Sequence, residues 1–365
     1  MNAPLKSYDI AVLPGDGIGV EVTAAALQLL GALELKLGRR FVCTTRPAGA
    51  QHYLDSGDSL PAATLDACRK ADAILFGAMG LPHVRGADGT EIIPQLDIRF
   101  ALDLYAGVRP IRTWKGLPVP LSDPRAAQID LVLVRESTEG LFYARGRGWM
   151  KGQGDSACAF DTMKITHAGT ARVCDFAFEL ARQRKAQGKR GHVTNVDKAN
   201  VFMSMAFWRQ VFEERARRYP DISTDNAYVD AMALNLVMKP WQCDVLVTEN
   251  MFGDILSDLI AALVGGMGMA PSADIGQHHA VFQPAHGTAP DIAGQGIANP
   301  SAMLLSAAMM LDWLAVRHSD AHLADGARAI ESALEAAFVS GAVRPFDFGG
   351  RSGTADITRA VLERL

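Results

Sequence analysis

The sequence lacks most of the features that mark a disulfide-stabilised, zinc-binding, nucleic-acid-binding or membrane protein. Its five cysteines are scattered over 365 residues and form no CxxC pair, which argues against a disulfide scaffold and a thiolate zinc site. The formal net charge of −4 provides no basic excess for nucleic acid or an anionic membrane. We therefore expect neither partner, and anionic ligands would have to be bound by local clusters of Arg and Lys.

Signal and anchor segments are also lacking. Met1 is followed within a few residues by the strand-like run Tyr8–Leu13, without the charged and then apolar layout of a secretory signal peptide. No uninterrupted apolar run reaches the roughly 18 residues of a membrane span. With 49% hydrophobic and 21% charged residues, the composition is that of a globular protein, and the length suggests two domains. We expect a soluble, cytoplasmic protein.

Short apolar runs alternate with helical patterns along most of the chain. The strand candidates are Ile10–Leu13, Ala73–Phe76, Ile129–Val134, His192–Val196 and Val245–Thr248. Apolar residues at helical spacing predict helices over 173–181 and 201–212, and a buried helix over 302–314. Because runs that are apolar on both faces are typical of parallel strands covered by helices, the sequence predicts an α/β fold with a mostly parallel sheet.

A glycine-rich turn, Pro14–Gly19, follows the first predicted strand. It resembles the dinucleotide-binding fingerprint G-x-G-x-x-G, but its third glycine comes one residue early. The next predicted strand, Phe41–Thr45, also lacks an acidic residue at its end to bind a ribose. We therefore interpret the segment as a tight strand-to-helix turn.

Asp254 and Asp258 are the strongest candidates for a metal site. They follow the predicted strand Val245–Thr248, and open α/β sheets bind ligands at the carboxyl ends of their strands. A spacing of four residues puts both carboxylates on one helical face, where they repel each other unless a cation lies between them. Oxygen ligands favour Mg²⁺ or Mn²⁺. The alternative is a charge at a helix N-terminus and a solvated second carboxylate.

Two further charged residues lie in apolar surroundings. Asp230, within residues 227–232, would be expensive to bury unless it shares a cation or caps the following helix. Lys198 follows the predicted strand His192–Val196, where partial burial would suit it to act as a general base. A lysine that is simply paired with Asp197 is the alternative.

Arg99, Arg109 and Arg135 are candidates for binding carboxylates. A guanidinium group can grip a carboxylate through two parallel hydrogen bonds, which makes Arg the residue best suited to this task. Solvation at the surface is the simpler explanation for each of them taken singly.

The segment His286–Asn299 is rich in small residues, Pro and Gly. It therefore predicts a loop whose backbone can approach a ligand closely. Asp291 within it could bind a ribose diol and would repel a 2′-phosphate. The alternative is a structural loop in which Asn299 caps the next helix.

Together these segments resemble the isocitrate/isopropylmalate dehydrogenase family of β-decarboxylating dehydrogenases. The most specific stretches are Val196–Val201, Tyr228–Met232, Asn250–Leu259 and His286–Pro300. The resemblance implies an isopropylmalate dehydrogenase-like two-domain fold that is not a Rossmann fold. A larger domain, residues 1–103 and 266–365, would carry the NAD-binding loop. A smaller central domain, residues 104–265, would carry the metal site and the dimer interface.

The resemblance also implies a homodimer with shared active sites. Asp254 and Asp258 would hold Mg²⁺ or Mn²⁺ together with Asp230 of the partner subunit. Lys198 of the partner subunit would take the proton of the substrate hydroxyl group. Both charged residues that lie in apolar surroundings would then serve the neighbouring chain.

Ligand binding follows from the same resemblance. Arg99, Arg109 and Arg135 would bind the carboxylates of a small 2-hydroxy acid. The residues that would bind NAD are His286, Gly287, Thr288, Ala289, Asp291, Ile292 and Asn299. Relatives that use NADP carry Lys-Tyr where this chain has Asp291-Ile292, so the resemblance implies NAD.

The chain departs from the family pattern at two site positions. Relatives place a Tyr, which helps to protonate the enolate, where this chain has Phe142; Tyr143 comes next. Either the local backbone presents Tyr143 as the acid, or another acid or water serves. Relatives also place a Glu near the nicotinamide ribose where this chain has Gln283, whose amide could still form a hydrogen bond.

Substrate choice depends on the residues before Arg99. Ile92 and Leu96 favour an apolar substituent such as isopropyl on the malate, whereas the polar Gln95 and Asp97 leave tartrate or D-malate open. The sequence thus predicts an NAD-dependent, metal-assisted oxidative decarboxylation of a 3-substituted malate of the 3-isopropylmalate type. A tartrate or D-malate dehydrogenase and a non-catalytic regulatory subunit are the alternatives, and the retained Lys198 and acidic residues argue against the latter.

Overall fold

A computed structural model describes residues 5–87 and 89–365 and divides the chain into two compact units. The larger unit consists of Met1–Asp103, Thr113–Pro120 and Ala261–Leu365, and the smaller unit of Leu104–Arg112 and Leu121–Ile260. Relative to the domain limits expected from the sequence, residues 113–120 and 261–265 thus fall in the larger unit. The assignment of the dimer interface to the smaller domain stays a prediction.

The strands and helices are numbered in chain order. The strands are β1 (Lys6–Gly15), β2 (Arg39–Thr45), β3 (Ala73–Ala78), β4 (Ala106–Arg112), β5 (Asp130–Glu136), β6 (Trp149–Lys151), β7 (Cys158–Phe160), β8 (His192–Asp197), β9 (Ser223–Tyr228), β10 (Val245–Thr248), β11 (Pro271–Ile275) and β12 (Ala280–Pro284). The helices are α1 (Ile18–Leu37), α2 (Ala50–Ser56), α3 (Ala62–Lys70), α4 (Pro94–Ala101), α5 (His167–Ala186), α6 (Met203–Ala216), α7 (Val229–Met238), α8 (Asn250–Ala262), α9 (Ser301–His318), α10 (Ala321–Val339) and α11 (Thr354–Leu362).

In the larger unit the strands follow the order β2-β1-β3-β12-β11. All neighbours are parallel except β12 and β11, which form an antiparallel pair. β3 is buried along its whole length, as expected for a strand with helices on both faces. α9 packs on β3, β11 and β12 and is buried nearly all round over 302–314, which confirms the buried helix predicted there.

α1 is long and apolar enough to cross a membrane by length and composition alone. Val22, Ala26 and Leu33 on it are nonetheless fully buried, and the helix packs on β3 and α9. An apolar stripe that faces neighbouring elements is typical of a core helix in a globular domain.

In the smaller unit the strands follow the order β4-β5-β10-β8-β9. β5, β10, β8 and β9 are parallel, and β4 runs antiparallel to β5. The carboxyl ends of four strands therefore meet at one edge of this sheet, as in other open α/β sheets with a ligand site. Both units are α/β with mostly parallel strands, so the predicted fold class is confirmed.

The helix predicted over 201–212 begins later than the sequence suggested. α6 starts at Met203, and Met205, Trp208 and Phe212 are buried as expected. Val201 instead lies in the turn before the helix and is 60% exposed. A turn residue does not share the helical face of the residues that follow it, so the inclusion of Val201 in the apolar stripe was wrong.

Candidate active site

Arg135 is the buried centre of one group of site residues in the smaller unit. It ends β5 beside Thr248 of β10, and its Nε and Nη2 donate to Oδ1 of Asn250 at 2.9 and 2.7 Å. Its Nη1 donates to Asp254. A side chain at Gly253 would lie 2.6 Å from Cγ of Arg135, so this glycine allows α8 to pass directly over the guanidinium stem.

Asp254 and Asp258 lie one turn apart on α8, which confirms their predicted placement on one helix. The side chain of Asp254 is 52% exposed. Burial, followed by the negative charge of Asp254, raises the pKa of Asp258. A divalent cation between the two carboxylates would relieve that repulsion, so the pair suits an oxygen-ligated ion.

Among the described residues of one chain, no third acidic ligand joins Asp254 and Asp258. Over residues 5–87 and 89–365, no three or more His, Cys, Asp or Glu side chains form a group that could hold a metal ion. Asp230 lies on α7 and pairs instead with Lys198, whose Nζ lies 2.5 Å from its Oδ1. The hydrogen bond from this lysine lowers the pKa of Asp230.

The structure changes two interpretations of this pair. Lys198 contacts Asp230, not Asp197 as the simpler interpretation had it, because β8 and β9 are neighbours and end side by side. The side chain of Asp230 is 68% exposed, so it avoids the burial cost that its apolar sequence surroundings suggested. Nor does it cap α7, since Tyr228 occupies the N-cap position.

Arg209, which the sequence did not single out, helps to fix the turn that carries Lys198. Asp197 is fully buried and accepts two hydrogen bonds from Arg209, at 2.8 and 2.7 Å. It also accepts the backbone N–H of Ala199 at 2.9 Å. The Arg209 guanidinium in turn lies over the ring of Tyr228, directly before α7. Arg209 thereby connects the segments that carry Lys198 and Asp230, which only the pairing of β8 with β9 could have revealed.

The two aromatic residues after β5 face different charged groups. The Arg135 guanidinium lies 4.9 Å from the ring centre of Phe142. The ring of Tyr143 is contacted by Arg147 at 4.2 Å and by Lys164 at 4.6 Å. The structure thus brings Phe142, and not Tyr143, to Arg135, while Arg109 is buried nearby on β4.

The predicted coenzyme loop lies in the larger unit. Thr288 is buried and donates its hydroxyl to the carbonyl of Gly80 at 2.7 Å, whereas Asp291 is exposed. Ala289 has a φ of 37°, an uncommon conformation for a residue with a side chain and one that often occurs in ligand-binding loops.

His286 offers a polar atom that the described chain leaves unsatisfied. Its Nδ1 lies 2.9 Å from the carbonyl oxygen of Gly287, while its buried Nε2 has no hydrogen-bond partner among the described residues. Burial lowers the pKa of His286, so the ring is neutral near pH 7. Because Nδ1 must carry the proton to bond a carbonyl, Nε2 is an acceptor, which fits a hydroxyl or amino donor of a nucleotide.

The other residues of this unit that were predicted to bind substrate or coenzyme contact the protein itself. Asn299 is buried, donates to Asp347 at 3.2 Å and accepts the N–H of Ser301 at 3.1 Å. It thus bonds the first turn of α9, but the N-cap position predicted for it is occupied by Pro300. Ile92 packs against the apolar cluster of Ala50, Leu81 and Val84. Leu96 is buried on α4 and Ile292 is half-buried. Their contacts with substrate or coenzyme stay predictions.

The glycine-rich turn Pro14–Gly19 supports the predicted coenzyme loop. Its glycines serve this turn, although their spacing resembles a nucleotide fingerprint. Asp16 is buried and accepts backbone N–H groups from Ala50, Gln51 and Gly80 at 2.7–2.9 Å. The N–H of Ile18 donates to the carbonyl of Thr288 at 2.9 Å. The interpretation of the segment as a tight strand-to-helix turn is confirmed.

Replacing Gly17 by Ala is expected to displace the loop and, where that loop binds NAD as the sequence predicts, to raise the KM for NAD by about ten-fold or more. Gly17 has a φ of 55°, and an added Cβ would lie 2.1 Å from the carbonyl oxygen of Thr288. Gly38→Ala is the matched control, because Gly38 has a φ of 61° but nothing within 4 Å of its Cβ. Steady-state kinetics with both variants would contradict the coupling if the two KM values for NAD were equal.

Comparison with known proteins identifies the family. The chain matches the isocitrate/isopropylmalate dehydrogenase family model over residues 9–361. A 3-isopropylmalate dehydrogenase from Aquifex aeolicus is 41% identical over 99% of this chain and 98% of its own length. A 3-isopropylmalate/3-methylmalate dehydrogenase from Methanocaldococcus jannaschii is 40% identical over 98% of this chain and 99% of its own. The crystal structure of isocitrate dehydrogenase from Methylococcus capsulatus matches with a TM-score of 0.86 and 36% identity, over 98% of this chain and 99% of that one.

The chain therefore belongs to the isocitrate/isopropylmalate dehydrogenase family. The predicted family is confirmed, and with it the assignment of the chain as an oxidoreductase of the dehydrogenase type.

Proposed function

We propose that this protein oxidises and decarboxylates 3-isopropylmalate or a close 3-substituted malate, with NAD as hydride acceptor and Mg²⁺ or Mn²⁺ as the metal. One arrangement carries the proposal: Arg135 and Asp254 are in contact at the carboxyl edge of the smaller unit's sheet. The paired Lys198 and Asp230 follow the ends of β8 and β9 at the same edge. The relatives from Aquifex aeolicus and Methanocaldococcus jannaschii are both named for action on 3-isopropylmalate.

The residues of this chain would divide the chemistry among them. Arg99, Arg109 and Arg135 bind the carboxylates and so orient the C2–H bond. Lys198 removes the proton of the C2 hydroxyl group as hydride leaves. A divalent ion held by Asp254 and Asp258 would stabilise the negative charge on the C2 oxygen during loss of CO₂, and bound NAD would accept the hydride. An acid then protonates the carbon that carried the carboxylate.

NAD rather than NADP is supported by the exposed Asp291 of the coenzyme loop. A carboxylate binds a ribose diol and repels a 2′-phosphate. The acceptor Nε2 of His286 offers a further contact for a nucleotide donor, and Gly287 and Thr288 would place backbone groups beside it.

A homodimer with shared sites is part of the proposal. Large apolar side chains are exposed on α7 and α8: Leu234 (63%), Met238 (64%) and Ile255 (61%). Exposed apolar side chains on helices that follow each other in the chain suit a protein–protein contact. Asp230 also stands apart from Asp254 and Asp258 within the described part of one chain, which suits a third ligand supplied by the partner's α7. We also propose a cytoplasmic location, where the five free thiols would stay reduced.

The assay that tests the substrate measures NADH formation with Mn²⁺, NAD and a panel of 3-isopropylmalate, D-malate, tartrate and isocitrate. The highest kcat/KM is expected with 3-isopropylmalate. Preference for D-malate or tartrate would assign the polar Gln95 and Asp97 to the substrate pocket. Absence of NADH with every acid would overturn the enzymatic proposal in favour of a regulatory subunit.

The proton donor at the end of the reaction is testable at two adjacent positions. Phe142→Tyr is expected to preserve or raise kcat, because it adds a hydroxyl group to the ring that faces Arg135. Tyr143→Phe, the matched exchange, is expected to lower kcat by about 100-fold if Tyr143 supplies the proton. A severe loss in Phe142→Tyr would show instead that the phenyl ring itself is required, and an unchanged Tyr143→Phe would leave the task to water.

A further inference from the structure

Arg99 is a buried cation, and two of its nitrogen atoms have no hydrogen-bond partner among the described residues. It lies on α4 with only 4% of its surface exposed, and its Nη2 donates to Oδ2 of Asp274 at 3.0 Å. Its buried Nε and Nη1 have no hydrogen-bond partner among the described residues. Buried donors are nearly always satisfied in native proteins, so these two nitrogen atoms indicate a bound acceptor such as a carboxylate.

Asp274 is held in turn by Gln283. The two residues lie on the antiparallel strands β11 and β12, and Nε2 of Gln283 donates to the same Oδ2 of Asp274 at 2.8 Å. Both side chains are buried. The backbone carbonyl of Gln283 accepts the hydroxyl of Ser306 at 2.7 Å, which fixes the strand at this point. A buried chain of contacts thus runs from Gln283 through Asp274 to Arg99.

As long as position 274 is an aspartate, an amide suits position 283 better than a carboxylate. A glutamate there would place a second carboxylate within hydrogen-bonding distance of Asp274, and two buried carboxylates at that distance cannot both be ionised. Gln283 avoids the repulsion and adds a donor to the carboxylate. The negative charge expected at 283 from the family resemblance is therefore replaced by one at 274, directly on Arg99.

We propose that Asp274 is the positioning residue for Arg99, and that Gln283 acts through Asp274 on substrate binding rather than on the coenzyme. The inference rests on the proposed function in taking Arg99 as a substrate ligand. The acid–amide pair holds Nη2, so that Nε and Nη1 point away from the protein's own acceptors. The presence of Gln283 in place of the family's Glu then changes how Arg99 is held for substrate binding.

Steady-state kinetics separate the two roles. Asp274→Asn is expected to raise the KM for the malate-type acid by about ten-fold or more, while the KM for NAD changes less than about two-fold. Gln283→Glu is expected to act in the same direction, because it sets two carboxylates against each other. Gln277→Glu, the same exchange in the exposed turn between β11 and β12, is the control and should leave both constants unchanged.

The double variant Asp274→Asn/Gln283→Glu exchanges acid and amide and restores one carboxylate bonded to one amide. Its KM for the acid is expected to return to within about three-fold of the original value, far below the product of the single effects. A merely structural role would show parallel losses in melting temperature and no such recovery. An effect confined to the KM for NAD would overturn the proposal, as would an unchanged KM for the acid in all three variants.

The effect of Asp274 on Arg99 can also be measured without turnover, and therefore independently of the proposed function. The NMR signal of the Arg99 Nε–H group, assigned by its loss in Arg99→Lys, is expected to shift or broaden in Asp274→Asn and to keep its position in Gln277→Glu. If the unaltered protein oxidises none of the acids, the proposed function fails, yet this signal still decides whether Asp274 orients Arg99. An identical signal in Asp274→Asn would overturn the positioning role.

Discussion

Asp254→Asn is expected to lower kcat by about 1000-fold at saturating Mn²⁺, because a metal ion stabilises transition-state charge by several kcal/mol and each 1.4 kcal/mol is about ten-fold in rate. Folding should be little affected. Asparagine keeps an oxygen atom for the contact with Arg135, which also retains its two hydrogen bonds to Asn250. The ion pair of Arg135 with Asp254 adds only about 1 kcal/mol or less to stability, because half of the Asp254 side chain is exposed.

The measurement is NADH formation after chelator treatment and titration with Mn²⁺, with thermal unfolding as the control for folding. The variant should show the original melting temperature and no response to Mn²⁺. Metal binding can also be followed directly, by calorimetric titration without substrate. Full activity of chelator-treated protein, or of Asp254→Asn, would remove the metal from the reaction.

Shared active sites make a sharper form of this experiment possible. Asp254 would serve its own subunit, whereas Lys198 would serve the partner, so Asp254→Asn and Lys198→Ala are each expected to be inactive alone. In a mixed dimer one site combines the intact Asp254 of one chain with the intact Lys198 of the other. Unfolding and refolding the two variants together should therefore restore about a quarter of the original activity, from random pairing. No recovery would show that each site uses a single chain.

Asp320→Asn is expected to lower the free energy of unfolding by about 3–5 kcal/mol, because it removes the charge partner of the largely buried Arg39. Asp320 is only 5% exposed. It accepts two hydrogen bonds from Arg39, at 2.6 and 2.9 Å, and one from the Tyr8 hydroxyl at 2.6 Å. It also accepts the N–H of His322 as the cap of α10. This one carboxylate thus joins β1, β2 and α10.

The contacts of Asp320 should also affect how the stability of the protein depends on pH. The bonds from Arg39, and next in effect the one from Tyr8, hold the pKa of Asp320 well below its usual range. A group with a lowered pKa in the folded protein stabilises it above the unfolded pKa, near 4, and loses this contribution as pH falls through the folded value. Denaturant unfolding should therefore show a smaller loss of stability below about pH 4 in Asp320→Asn than in the unaltered protein.

Asp325→Asn provides the control on the same helix. Asp325 is exposed, and its one ion-pair partner within residues 5–87 and 89–365 is Arg328, three residues further on. Pairs of this kind contribute about 0.5 kcal/mol or less, so the control should unfold within that margin of the original. Equal effects of the two substitutions would contradict the importance of the buried contacts.

Strands such as β3 and β10 were predictable because the runs Ala73–Phe76 and Val245–Thr248 are short, apolar and best buried in a sheet covered on both faces. The strands β9, β11 and β12 were not among the predicted ones. The placement of Asp254 and Asp258 on one helix was predictable for the same kind of reason, since it depends only on local spacing. Both features follow from a few neighbouring residues.

The contacts of the site were not predictable in this way. Lys198 and Asp230 lie 32 residues apart, and their contact depends on β9 pairing with β8 at the edge of the sheet. The bond between Gln283 and Asp274 depends likewise on the register of β11 with β12. Sequence spacing carries no information on which strands become neighbours, so it placed Lys198 at a strand end but offered only its chain neighbour Asp197 as a paired partner.

The turn built around Asp16 has a consequence for how the coenzyme loop responds to heat. The Asp16 carboxylate ties its own turn to the backbone of two distant segments, at residues 50–51 and 80, and the nearby Ile18 bonds the loop at Thr288. Loosening the loop would break bonds that also hold β1, α2 and the end of β3, so the loop should not fray independently. Amide exchange at Ile18 and Gly80, whose N–H groups form these bonds, should then match global opening, and heat inactivation should coincide with melting of the whole unit.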